Sequence, residues 1–232
     1  MNYRVTTHTE REALRLRGCY AESWESVEVS EDFRVEQLRN VRFEGSVRIG
    51  SNSRIADSTI ANYHIGDNCT IDDVLRMECR YPTTFGEGVR VAAVNENGGR
   101  TAVIYREITA QEAYMMTMLR NRRNMVSRME SMIVERSEAH RTDIGRVGNG
   151  STIIGARFIR EVRIEERCRI EGTSHLENGT VGEGSYVGID VRGRDFIIDN
   201  NARVDGASSI ERCFVGENSV VGNGFTAVDT LM

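Results

Sequence analysis

Histidine is the side chain best suited to moving a proton near neutral pH, and this chain of 232 residues has four: His8, His64, His140 and His175. His64 stands immediately before Ile65 and follows Asn62 and Tyr63, while His175 stands immediately before Leu176. A neutral imidazole at His64 can take a proton from a hydroxyl or amine as general base, and Asn62 and Tyr63 carry groups able to orient a ligand. The other histidine on the repeat, His175, is a second ligand-facing candidate. A further candidate is the run Asn95-Glu96-Asn97-Gly98-Gly99-Arg100. A β-hairpin turn accounts for its glycines but not for Glu96 and Arg100. Those two bind a sugar and a phosphate respectively, or pair with each other, and both readings stand.

Other chemistries find no residues to carry them. The five cysteines, Cys19, Cys69, Cys79, Cys168 and Cys213, are odd in number and scattered without metal-ligand spacing, so no metal is expected and a reduced cytoplasmic setting is the default. No P-loop, nucleophile elbow or zincin motif occurs. The net charge of −5, without a basic stripe, argues against nucleic acid as a partner. No apolar run approaches the roughly 20 residues of a membrane helix. All 30 basic residues are arginine.

Any site must be positioned by the repeat that dominates the chain. Eight windows share one pattern: an apolar residue opens the window, a small or β-branched one stands four places on, and an aliphatic follows two places later. They open at Ile49, Ile65, Phe85, Val147, Ile164, Val181, Ile198 and Val215. The last five start 17 residues apart, with further aliphatics six apart, as at Ile164, Ile170 and Leu176. A period of 17, divided as 6 + 6 + 5, describes a three-sided coil. Alternation along short strands turns the aliphatic and small positions inward, and Gly, Asp or Asn allows the corners. Cys69 and Cys168 hold the small inward position and read as core. His64 and His175, each just before an inward aliphatic, point outward.

These windows resemble the trimeric LpxA-like superfamily of hexapeptide-repeat proteins, over about 135 residues. The resemblance implies a left-handed parallel β-helix, a homotrimer, and acyltransferase or sugar-nucleotide chemistry. It also implies an outward histidine acting as general base in a cleft between subunits, with an acyl-CoA as donor. More narrowly, three segments resemble an uncharacterised family of longer hexapeptide proteins, of which this chain reads as a truncated member. They are Gly18 to Val29 (GCYAESWESVEV), Asn40 to Gly50 (NVRFEGSVRIG), and the Asn95 to Arg100 run followed by ITAQEAY.

Four parts are expected: an N-terminal cap over 1–40, a first β-helix stretch over 41–107, an inserted long helix over 108–141, either continuous or broken into a hairpin near Asn121 to Asn124, and a second stretch over 142–232. Thr9 with Glu12 predicts a capping box for a short first helix ending near Gly18, and Thr109 with Glu112 predicts one for the inserted helix. Trp24 and Phe33 are expected over the bottom coil. Met115, Met118, Met125, Met129 and Met132 fall at heptad spacing, which suggests packing on the solenoid or a seam between subunits. Two functions follow as expectations. One is acyl transfer to, or binding of, a sugar nucleotide or similar small molecule around His64, Asn62 and the Asn95 to Arg100 loop. The other is a non-catalytic solenoid serving assembly, favoured by the scarcity of histidine on the array.

Overall fold

The computed structural model describes residues 2–94 and 99–232. The repeat forms a β-solenoid of parallel coils. Phe158–Ile164, His175–Val181, Arg192–Ile198, Ser209–Val215 and Thr226–Leu231 stack in parallel, each pairing with the strand one coil on. Val181 faces Ile198 and Ile198 faces Val215, the 17-residue step of the sequence.

Aliphatics fill the interior as the alternation requires: Ile49, Ile65, Val147, Ile164, Val181, Ile198 and Val215 are buried. The small inward position also carries a hydrogen bond to the next coil. Ser151 Oγ donates to the Glu165 carbonyl at 2.9 Å and accepts from the Cys168 amide at 3.1 Å; Ser185 Oγ does the same with Asp199 and Ala202. Hydroxyls inside a dry prism are tolerable because each is satisfied both as donor and as acceptor. Cys69 and Cys168 occupy the same place, and burial pushes the Cys168 thiol up to about 12, which suits packing and not nucleophilic chemistry.

The structure revises several sequence expectations. The two stretches form one column: Gly145–Val147 pairs in parallel with Tyr63, His64 and Ile65 on one side and with the 163–164 rung on the other. The Phe85 window is not a coil. Arg90–Val91 pairs antiparallel with Ala102–Val103, within an excursion that leaves the array after Glu78 and returns near Thr142, where Thr83 and Thr142 bridge. A local motif match cannot tell a coil from a loop, because only stacking makes the coil.

At the other end, residues without the motif already form one. Tyr20–Ala21 and Val27–Ser30 pair in parallel with Leu38–Ile49, and Tyr3–Val5 closes the bottom edge antiparallel to Val27–Ser30. Trp24 and Phe33 are buried there. The first helix, α1 (His8–Leu16), is capped by Thr7 with Glu10, two residues before the expected pair.

The inserted helix is two helices, α2 (Ala110–Met118) and α3 (Arg123–Ala139), with Thr109 and Glu112 closing the capping box of α2. The break between them takes the methionines out of one heptad frame. Met116 and Ile133 make the buried contact with Ala102 and Val103, whereas Met118 and Met132 are exposed. Among the described residues, no helix is long and apolar enough to cross a membrane.

One outward row of the solenoid explains where the excursion lies. Reading up the coils, the residue before each inward aliphatic is Glu28, Arg48, His64, Arg146, Arg163, Thr180, Ile197, Phe214 and Leu231. The lower half is charged and the upper half apolar. Val91 and Ile104 of the excursion pack on Ile197 and Phe214, covering the apolar half. Polar contacts pin the cover down: Thr180 Oγ donates to the Phe85 carbonyl at 2.8 Å, and Arg106 bridges Glu87 at 2.6 Å and Glu165 at 2.9 Å. Gly86 lies so close that a Cβ would come within 2.5 Å of the Phe196 carbonyl, and its φ of +85° also demands glycine.

Candidate functional site

The uncovered half of that row holds the best candidate site. His64 is outward because Tyr63 and Ile65 on either side are inward. Its neighbours on the adjacent coils are Arg48 and Arg146. These three, with Tyr3 and Asn149, line a shallow depression of about 300 Å³. Arg48 is held in place: its guanidinium donates to Glu28 Oε2 at 2.7–2.8 Å and sits 4.8 Å above the Tyr3 ring. Arg146 is exposed and makes no ion pair among the described residues.

His64 is half-buried. Burial, and then the positive charge of Arg48, push its pKa below the ordinary 6.5, with Glu28 opposing only in part. The imidazole is therefore neutral at neutral pH, with a free lone pair able to accept a proton.

The other predicted residues scatter. Tyr63 is fully buried, its hydroxyl donating to the Val162 carbonyl at 2.7 Å, so it is interior and cannot touch a ligand on the outer face. Asn62 turns a corner at φ +54°. Its amide is committed on both sides, accepting from the Ser46 amide and donating to the Cys79 carbonyl, each at 2.9 Å. It staples coils together.

Arg100 lies just before the strand Ala102–Val103 and reaches Met118 Sδ at 3.6 Å. Val91 and Ile104, before and after it in the chain, pack on Ile197 and Phe214. Phe214 is five rungs above His64, about 24 Å at the usual strand spacing, so Arg100 does not join His64. Asn95 and Glu96 lie outside the described residues.

His175 sits on another face, across the corner at Asn178. Its Nε2 lies 3.1 Å from Glu177 Oε2, and Arg194 is 3.6 Å from the same carboxylate. It has an orienting partner, which His64 lacks among the described residues, but it is on a different face from the Arg48–Arg146 depression.

Arg48 and Arg146 were missed, although a signal existed. Both immediately precede an inward aliphatic, Ile49 and Val147, as His64 precedes Ile65. Writing that one position down the repeat would have produced the row.

The comparisons with known proteins give the family and no activity. A family model described as "Domain of unknown function (DUF4954)" matches residues 3–59 and 54–232. An uncharacterised protein of Treponema pallidum (strain Nichols) is 25% identical over 220 residues, spanning 77% of this chain and 30% of that protein. The chain thus spans about a third of that relative's length. Among solved structures, the UDP-N-acetylglucosamine acyltransferase of Francisella novicida is similar at 12% identity and a TM-score of 0.26. That match covers 88% of this chain and 62% of the acyltransferase. Matched by the family model over nearly its whole length, and with its repeat folded as a solenoid, the chain belongs to the DUF4954 family, whose function is unknown.

Proposed function

We propose that this chain is a hexapeptide-transferase-like protein, a left-handed β-helix that works as a homotrimer in a reduced cytoplasmic setting. In this reading His64 is the general base for moving an acyl group from an acyl-CoA to the hydroxyl or amine of a sugar nucleotide or related small molecule. The observation that carries it is the environment of His64: half-buried in a depression, neutral because of burial and Arg48, and flanked by two arginines. In the step itself, His64 takes the acceptor proton as the acceptor oxygen or nitrogen bonds to the acyl carbon. The carbon–sulfur bond breaks, and the leaving thiolate receives the proton. The left hand and the trimer rest on the resemblance to the hexapeptide superfamily.

The competing reading is a non-catalytic scaffold. One observation favours it: among the described residues no side-chain hydrogen bond orients the His64 ring, and general bases are usually so oriented. The test is thermal stability of the purified chain with acetyl-CoA, longer acyl-CoAs and UDP- or dTDP-sugars, repeated on His64→Ala. A ligand at 100 times its dissociation constant stabilises by about 2.7 kcal/mol. A shift that His64→Ala reduces, followed by acyl transfer that it abolishes, supports the transferase. A folded protein that responds to none of these ligands favours the scaffold.

A further inference from the structure

The charges around His64 are unevenly compensated. Below it, Arg48 has Glu28. Above it, Arg163 has Glu165 at 3.0 Å, and Glu165 is shared with Arg106, which also holds Glu87. Between these two neutralised clusters stands Arg146, exposed and with no carboxylate partner among the described residues. The field of Arg146 reaches its neighbour: burial pushes the Arg163 pKa down, Glu165 opposes it, and the charges of Arg106 and Arg146 add to the fall.

The Asn149 amide of the depression is already engaged. Asn149 accepts from the Asp67 amide at 2.8 Å and donates to Glu166 at 3.3 Å. Gly66 and Gly148 are required by stacking, since a Cβ on either would come within 2.5 Å of the next coil. The depression offers a ligand the pair of guanidinium groups on either side of the imidazole, on strands two rungs apart, or about 9.6 Å, with Tyr3 also in its lining.

We infer that Arg146, with Arg48 opposite, forms an anion subsite beside His64 that holds a phosphoryl group of the acceptor. This rests on the reading of His64 as general base, because that role puts the acceptor at the imidazole. A carboxylate has two coplanar oxygens and is satisfied by one guanidinium fork. A phosphoryl group has three terminal oxygens and up to two negative charges, and it can take donors from two forks on opposite sides. Arg48, already neutralised by Glu28, contributes donors and position; Arg146 contributes the uncompensated charge.

The test is isothermal titration calorimetry of the full chain at low salt with inorganic phosphate and, separately, acetate. Wild type is expected to bind phosphate at least about tenfold more tightly than acetate, and Arg146→Ala to lose about tenfold or more, the worth of one charged hydrogen bond. Arg192→Ala, on another face, is the matched control and should bind as wild type. Three results overturn the subsite: no phosphate binding, unchanged binding by Arg146→Ala, or equal affinity for acetate, which marks a general cationic patch. His64→Gln separates the two readings. If it keeps phosphate binding and abolishes acyl transfer, both stand. If transfer persists without His64 while phosphate binding still needs Arg146, the base assignment falls and the anion subsite survives.

Discussion

The ring of Tyr63 occupies the place of a side chain on Gly145. The two residues face each other on adjacent coils, and a Cβ on Gly145 would lie 2.3 Å from Tyr63 Cζ. Phe196 repeats the device against Gly179, again at 2.3 Å. A prism with room for about one large side chain per rung admits an aromatic ring only where the neighbouring coil gives up its own side chain.

Tyr63 and Gly145 are therefore coupled in stability. Gly145→Val should cost about 2–3 kcal/mol by overpacking, and Tyr63→Val about 3 kcal/mol through the cavity and the lost hydroxyl. The double variant should cost less than the sum by about 1 kcal/mol or more. Urea unfolding of the four proteins measures this; strict additivity would show that the two do not share space.

Phe214 and Val215 are neighbours with opposite duties. Val215 lies inside the coils, whereas Phe214 lies outside, beneath Val91 and Ile104. Val215→Asp puts a charge in the dry interior and should unfold the upper coils. Phe214→Asp should release only the cover, leaving the β-sheet circular dichroism intact while trypsin gains rapid access to Arg106, which the folded cover holds against Glu87 and Glu165. Loss of the β signal in both variants would show that cover and coils are one cooperative unit.

Glu78 is buried among Arg76, Arg80 at 2.7 Å and Arg160 at 3.0 Å. Burial pushes its carboxyl up, but the arginines, Arg76 foremost, outweigh it and hold the pKa below the usual 4.5. Glu78→Gln leaves three guanidinium groups facing an uncharged amide and should cost about 3 kcal/mol. Because the folded carboxyl binds its proton less readily than the unfolded one, wild-type stability falls as pH drops below 4.5. Melting curves across that range should be steeper for wild type than for Glu78→Gln.

His64 gives a second pH signature. Its folded pKa lies below 6.5, so between that value and 6.5 the unfolded chain binds more protons than the folded one. Stability therefore rises with pH through this window and is lost on acidification below 6.5. His64→Gln should flatten the dependence there. An unchanged slope would mean that the ring is not desolvated between Arg48 and Arg146.

The 17-residue spacing by itself determined the coil, and with it the inward placing of Val147, Ile164, Val181, Ile198 and Val215, because strand alternation and corner residues are local properties. The same alternation that turns His64 outward turns Tyr63 inward, away from the ligand face. Tertiary structure alone decided which outward residues are neighbours. His64 and Arg146 are 82 residues apart in the chain and adjacent in space, because the excursion is looped out and the coils close across the gap. It also decided that Phe85 leaves the array, that the heptad methionines divide between two helices, and that Ile197 and Phe214 are covered. Each depends on what packs against a residue from a distant part of the chain, and neither periodicity nor propensity carries that information.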